Sequence, residues 1–239
     1  MAREVPAINT IIPQVDMFTC LGRSWFELFQ SVPSRESIAV LWAHWAHETG
    51  RGKSCIQYNI GNIKYVEGKW DGDFTQFTTH EILSTERAKY WKNWAVENRT
   101  PRAVKVVKTL ANNKCVVYFY PCNPPNPVCS FRAYPSLLEG TRDYLSLLKS
   151  RFSPAWPAVE SGEILRFTDL LYKNKYFTAD PKKYGLSLQS LQREILRRTS
   201  GLYNSFNFLA REVDPNATMS MDDDHTKLIC VDKSNVSSA

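Results

Sequence analysis

Glu48 is the carboxylate in this chain whose position packing alone explains least. It stands in the segment SRESIAVLWAHWAHETG, seven residues after Leu41 and three after Trp45. On a helix it therefore shares the side of the apolar stripe Ile38, Leu41, Trp42 and Trp45. An indole beside it and the negative end of the helix dipole would both favour the protonated carboxyl. A carboxylic acid that holds a proton near neutral pH can deliver it to a leaving oxygen, the general-acid step of glycoside hydrolysis. The bland alternative is a glutamate at a frayed helix end, exposed or paired with Arg51 or Lys53. His44 and His47 lie close to it in sequence, but the spacing is not His-Glu-x-x-His, so no metal site is expected. Each histidine reads as a lone exposed side chain.

Other chemistries are poorly represented. There is no Gly-x-Ser-x-Gly elbow and no Gly-rich phosphate loop after a strand, and Cys55 could find only His44 or His47 as a base. Flat aromatic rings with polar neighbours are the usual grips on sugar faces, and Trp70, Tyr65 and Tyr134 are the candidates for that work. Trp42 and Trp45 belong to the helical stripe and are expected in the core, with Trp45 near Glu48.

The elements that must position these residues begin with a short helix over SWFELFQ, packed on the main body. In the next helix Ser34 is the expected N-cap, Glu36 suits the first turn and Gly50 can end it. From about 52 to 132 the pattern changes to short β-branched or alternating pieces, DFTQFTT, AVKVVKTL and KCVVYFY, with a helical insertion around ERAKYWKNWAVEN. Helical signals then return. Ser136 and Glu139 form a capping box, Ser161 is the expected start of GEILRFTDLLYK, and Asp180-Pro181 opens a last helix with Tyr184, Leu188, Leu191 and Ile195 as its core stripe. The expected fold is α+β and mainly helical, a lysozyme-like α-lobe with a small β-rich lobe and a cleft between them. Residues 1–33 read as an N-terminal helical extension, 34–210 as the catalytic domain, and 211–239 as a polar, loosely attached tail.

Composition bounds the partners. Hydrophobic residues at 43% and charged residues at 23% are ordinary globular usage, which argues against a disordered or fibrous chain. No apolar run is long enough to span a bilayer, and the opening MAREVPAINT lacks a signal-type apolar region. The net charge of +6 favours a polyanionic partner, but no run of five basic residues points to nucleic acid. Cysteines at 20, 55, 115, 122, 129 and 230 include no Cys-x-x-Cys pair. Cys122 and Cys129 bracket PCNPPNPVC, where a disulfide staple and free thiols are both open readings.

The stretch AHWAHETGRGKSCIQYNIGNIKY resembles the active-site segment of bacterial glucosaminidases, glycoside hydrolase family 73, which includes the flagellar muralytic domain. The resemblance lies in Glu48-Thr49-Gly50 followed by Asn59-Ile60-Gly61-Asn62-Ile63-Lys64. A second block, FRAYPSLLEGTRDYLSLLKSRF and then KYFTADPKKYGLSLQSL, is similar to the family's later half. Together the blocks cover about 36–82 and 130–196. The resemblance implies that Glu48 is the proton donor and that Asn59 and Asn62 shape the cleft floor. It also implies that Glu81, after Thr78-Thr79-His80, is the second carboxylate, with Asp71 and Asp73 as competitors. The family's late Tyr-Ala-Thr-Asp-Pro becomes Tyr176-Phe177-Thr178-Ala179-Asp180-Pro181, so its cleft tyrosine is either Tyr176, shifted by one place, or replaced by Phe177. The stretch 82–129 is longer than the family's usual link.

The expected activity is cleavage of the β-1,4-linked amino-sugar chains of peptidoglycan, with no cofactor, by a wall-acting enzyme that is phage-encoded or virion-associated if the chain is complete. A lytic transglycosylase, or a non-catalytic wall-binding or assembly protein, would use the same fold. The insertion and the tail are the places for a protein partner.

Overall fold

The computed structural model describes residues 2–177 and 179–199, together with the backbone of 217–221 and 228–232. Its class is α+β, mainly helical. The chain forms two compact units, one from residues 1–9 and 56–135, the other from 10–55 and the chain from Ser136 on. The expected N-terminal extension is thus divided between them.

In the helical unit, α1 (Gln14–Phe29) starts ten residues before the expected SWFELFQ helix, with Pro13 at its N-cap. The extra turns are justified by Met17 and Leu21, four residues apart on one face and fully buried. Helix α2 (Arg35–Glu48) opens as anticipated, the Ser34 hydroxyl accepting from the Ser37 amide at 3.0 Å. Every residue from Ser37 to Ala46 is buried, so α2 is enclosed on all sides; α1, α5 (Trp156–Glu160) and α7 (Pro181–Arg198) pack on it. The Ser136 hydroxyl caps α4 (Leu137–Arg151), accepting from the Glu139 amide. Asp180 caps α7, accepting from the amides of Lys182 and Lys183, with Pro181 at the first helical position. Ser161 does not start α6 (Ile164–Lys173): it closes the short α5, and Glu163 precedes α6. The reason is local, since Gly162 at φ +74° turns the chain between the two helices against Glu36, where a Cβ would come within 2.6 Å.

The other unit holds the β-structure. Strand β1 (Phe74–Gln76) pairs antiparallel with β5 (Ser130–Arg132). A second sheet has the order β2 (Thr79–Ser84), β4 (Lys114–Phe119), β3 (Val104–Leu110), with a register shift in β3 between Val106 and Lys108. Helix α3 (Thr85–Glu97), the expected insertion, covers one face of that sheet: Ala88 and Ala95 pack with Val104, Cys115, Val117 and Phe119. Strand β2 carries no apolar alternation in THEILS and is an edge strand with mostly exposed side chains, which is why its pattern does not announce it. Cys122 and Cys129 are free thiols, and burial pushes the latter up to about 12. Within the tail expected to be loose, β6 (Ala217–Met221) and β7 (Leu228–Asp232) pair antiparallel; the remainder of 211–239 lies outside the described residues. No helix among the described residues is long and apolar enough to cross a membrane.

Candidate functional site

Glu48 is the last residue of α2, and the chain beyond it is held so that the helix stops there. The Thr49 hydroxyl donates to the Trp45 carbonyl at 2.7 Å and accepts from the Gly52 amide at 2.9 Å. Gly52 sits at φ +78°, and a Cβ on it would lie 2.3 Å from the Ile12 carbonyl oxygen and 2.8 Å from the Trp45 ring, so glycine is required. Trp45 is fully buried and its ring is committed to this corner and to Trp42. Of the two cations that could have paired with Glu48, Arg51 turns to Glu194 at 2.7 Å.

The groups around the Glu48 carboxylate are phenols and a histidine. The Tyr184 hydroxyl, from the first turn of α7, donates to Glu48 Oε1 at 2.5 Å. His44, one turn back on α2, has no exposed surface and places Nε2 3.9 Å from the same oxygen. Its Nδ1 is 2.6 Å from the hydroxyl of Tyr144 on α4, whereas Nε2 has no hydrogen-bond partner among the described residues. A carboxylate facing Nε2 favours the tautomer with hydrogen on Nε2, so Nδ1 accepts from Tyr144. Burial lowers His44 to about 4, the Glu48 charge opposing and His47 reinforcing that shift, so the imidazole is neutral at pH 7. Tyr176, placed by the turn after α6, packs on His44 at 5.0 Å and on Phe152 at 5.0 Å. Burial and then the Glu48 charge raise Tyr176 and Tyr184; Tyr144 is raised by burial first, then by Tyr176 and Glu48. All three phenols therefore keep their protons and can serve as donors. Glu48 itself retains 22% of its side-chain exposure, so it is held from within and reachable from solvent.

Two readings of the sequence are corrected here. His44 is not an exposed histidine: the helix carrying it is enclosed on all sides, and Tyr144, a hundred residues away, supplies its partner. His47 is half-buried, with Nδ1 3.0 Å from the Ser187 hydroxyl and its ring against Tyr184 at 4.4 Å. Tyr184, read as plain core, carries the hydroxyl closest to Glu48. A phenol on a buried stripe must find a partner for its O–H, and that was the available signal. At the position where the resemblance left Tyr176 and Phe177 as alternatives, both residues take part: Phe177 stacks on Tyr184 at 4.0 Å and 13°.

The remaining candidates lie in the other unit. Asn59 is buried and its amide is used entirely on backbone: Nδ2 donates to the carbonyls of Ile63 and Arg132, both at 2.9 Å, and Oδ1 accepts from the Ile63 amide at 2.8 Å. It holds the turn on which Asn62, exposed at φ +49°, sits. Trp70 and Tyr134 meet edge to face at 5.6 Å, the indole N–H donating to the Asp73 carbonyl and the Arg132 guanidinium lying 4.4 Å over the ring. Tyr65 stacks on Phe74 and is buried. Asp73 pairs with Arg3, and Asp71 is exposed. Glu81 is exposed on the edge strand β2, opposite Val117. Its charge raises Lys64, although burial of the ammonium against Phe131 outweighs this and lowers Lys64 to about 8. The structure thus groups Glu48 with Tyr176 in one unit, and in the other Trp70 with Tyr134 and Asn59 with Asn62, leaving Glu81 on a separate sheet. The chain matches no protein-family model, no curated protein and no solved structure.

Proposed function

We propose that the protein is a peptidoglycan hydrolase of lysozyme-like fold, akin to the glycoside hydrolase family 73 glucosaminidases, in which Glu48 is the general acid. The observation that carries this reading is the setting of that carboxylate. It ends a buried helix, is partly open to solvent, and is anchored on one oxygen by Tyr184 above a neutral histidine. With Oε1 accepting from Tyr184, the proton for delivery belongs on Oε2. Its transfer to the glycosidic oxygen accompanies cleavage of the bond from C1 to that oxygen; water then adds to C1 and gives its own proton to a base. Glu81 is the proposed base or stabilising carboxylate. Trp70 and Tyr134 are the proposed sugar platform, Asn59 and Asn62 support the adjacent turn, and Tyr176 backs the acid. The substrate is the wall glycan, to which the net charge of +6 is suited, and the place of action is the cell wall.

A second reading has an observation of its own. The groups gathered on Glu48 within its unit are a histidine and tyrosines, and a lone acid is what a lytic transglycosylase requires. Product analysis separates the two. Purified sacculi are treated with wild type and with Glu48→Gln, and released muropeptides are reduced with borohydride and identified by mass spectrometry. New reducing ends from wild type alone support hydrolysis, and the reduced sugar names the bond; anhydro-sugar ends support the transglycosylase. Equal release by both proteins, or none where a lysozyme releases fragments, overturns catalysis by Glu48 and leaves wall binding as the function to test.

A further inference from the structure

Helix α3 covers one face of the three-stranded sheet, where Ala88 and Ala95 meet Val104, Cys115, Val117 and Phe119. Side chains alternate along a strand, so the residues between these belong to the opposite face. There His80 of β2, Tyr118 of β4 and Lys105 of β3 stand in register across the sheet, and Lys108 pairs with Val116 on the same side. Three rings are aligned on this face: His80 on Tyr118 at 5.4 Å and 22°, and Tyr118 on Tyr120 at 6.4 Å and 26°. His80, Lys105 and Lys108 are exposed, and Tyr118 and Tyr120 are half-buried. The carboxylate of β2, Glu81, pairs with Val117 and so belongs to the covered face.

At Tyr120 the face runs into an open cleft of about 730 Å³ that is also lined by Arg99, Arg102 and Lys105. Arg99 follows α3 at φ +57°, and Arg102 lies on the 3₁₀ turn Pro101–Ala103. Arg99, Arg102, Lys105 and Lys108 recur at every third residue, so no basic run announces them, and the chain from Asn98 to Leu138 contains no aspartate or glutamate. None of the four forms an ion pair among the described residues. The Glu4 carboxylate, which shares the Gln76 amide with the Cys122 carbonyl, is outside the lining. The backbone beneath is fixed: the Tyr120 amide donates to the Ala103 carbonyl at 2.9 Å, and the buried Asn126 amide donates to the carbonyls of both.

We infer that this face binds single-stranded nucleic acid, with bases stacking on the rings of His80, Tyr118 and Tyr120 and phosphates meeting the cations of the adjoining cleft. Rings that take bases beside a basic groove that tracks the backbone are the two parts of a single-strand site. Every other occupant uses half of the surface. A neutral glycan would lie on the rings and leave the four cations uncompensated; an acidic peptide or a base-free polyphosphate would neutralise the cations and leave the aligned rings unused. A duplex keeps its bases in the stack and is read by a helix or ribbon that enters a groove, which a sheet face does not do. The step of 6.4 Å from Tyr118 to Tyr120 is also about twice the ~3.4 Å base step of a duplex strand, so neighbouring rings suit a strand drawn out of its helix. All of these residues belong to the β-containing unit, and the proposal does not depend on the glycosidase reading.

The test is a fluorescence-anisotropy titration of the full chain with a labelled oligodeoxythymidylate at several salt concentrations. An Arg99→Gln/Arg102→Gln/Lys105→Gln variant removes charge from the cleft, and Tyr118→Val removes a ring while keeping a strand-forming residue. A Lys69→Gln/Lys89→Gln/Lys92→Gln variant, equal in net charge to the first, is the control, and all are checked for unchanged thermal midpoints. The cleft variant should bind about tenfold more weakly or worse, with the slope of log affinity against log salt smaller by about two for three lost phosphate contacts. Tyr118→Val should bind roughly tenfold more weakly with the slope unchanged, whereas Tyr118→Phe binds as wild type does and the control stays within about twofold. No binding by wild type at low salt, or equal losses in the cleft and control variants, overturns the site. Equal affinity for poly(glycerol phosphate) of the same charge, or unchanged affinity in Tyr118→Val, overturns stacking by bases. Tighter binding of purified wall glycan strands, lost in Tyr118→Val, overturns nucleic acid as the occupant.

Discussion

Buried polar side chains in the loops of the β-containing unit and those around Glu48 in the helical unit are used in opposite ways. In the β-containing unit three amides act as staples for irregular backbone. Asn59 joins the turn at Ile63 to Arg132, and Asn126 ties Ala103, Tyr120 and Val128. Gln76 accepts from the amides of Cys122 and Asn126 and donates to the Cys122 carbonyl. Each satisfies backbone groups that the loops would otherwise leave unpaired. In the helical unit Thr49 and Gln192 likewise bond backbone, at Trp45 and Gly52 and at Gly162, but around Glu48 the polar side chains turn to one another: Tyr144 to His44, His44 toward Glu48, Tyr184 to Glu48. Among the described residues of that cluster His44 Nε2 is left without a hydrogen bond, as is the neighbouring Trp45 Nε1, and the Glu48 carboxylate stays in reach of solvent. Satisfied amides mark where the fold is held, and the unfinished cluster marks where chemistry can occur.

The largest effect that would test this contrast is on activity. Glu48→Gln should reduce muropeptide release by roughly 10²- to 10⁴-fold, the usual contribution of a general acid, while thermal unfolding stays cooperative. A glutamine that left release intact would remove the functional half of the comparison.

The next effect is on stability against pH. His44 titrates at about 4 in the folded protein and at about 6.5 when exposed. Between those values the unfolded chain binds a proton that the folded chain refuses. The stabilisation is therefore complete above about pH 6.5 and is lost as the pH falls toward 4, by about 3 kcal/mol at most. Urea unfolding across this window should show wild type losing that much more than His44→Gln; matching slopes would mean that the imidazole is not held neutral.

On the stapling side, Asn59→Ala leaves the Ile63 amide and two carbonyls without their partner and should cost about 2 kcal/mol in urea unfolding. An equal loss of activity beyond what the unfolded fraction explains would assign Asn59 to substrate rather than to the turn. The smallest effect belongs to Tyr184→Phe, which keeps the ring on Phe177 and removes only the hydroxyl. A stability change of about 1 kcal/mol is expected, with the turnover rate falling about tenfold and the Michaelis constant nearly unchanged, as for a group that orients the acid. A change confined to the Michaelis constant would place Tyr184 in binding instead.

What could be read from the sequence was largely what depends on neighbours along the chain. Ser34, Ser136 and Asp180-Pro181 cap their helices where expected because a cap is satisfied within three residues. Strand β2 was not legible, since an edge strand needs no apolar alternation, and Ser161 competed with a glycine turn next to it. At the site, Glu48 stood out by its place on an apolar face. Its companions did not, because Tyr184 reaches Glu48 across 136 residues and Tyr144 reaches His44 across 100, and both look like ordinary core when read along their own helices. The enclosed α2 would have revealed His44 as buried had the helix been read as apolar all round rather than along one stripe.

The division of the chain also sets an order of events during synthesis. A chain leaving the ribosome presents α1 and α2 first, then all of residues 56–135, and only afterwards α4 and α7. The first nine residues can be closed onto their own unit once residue 74 has emerged, through Val5 to Phe74 and Phe74 to Arg3. Glu48 must wait longer, because its hydroxyl donor arrives with residue 184. A nascent chain halted before that point carries Glu48 without the hydroxyl that bonds it, so the cluster is completed only after all of residues 56–135 have been made.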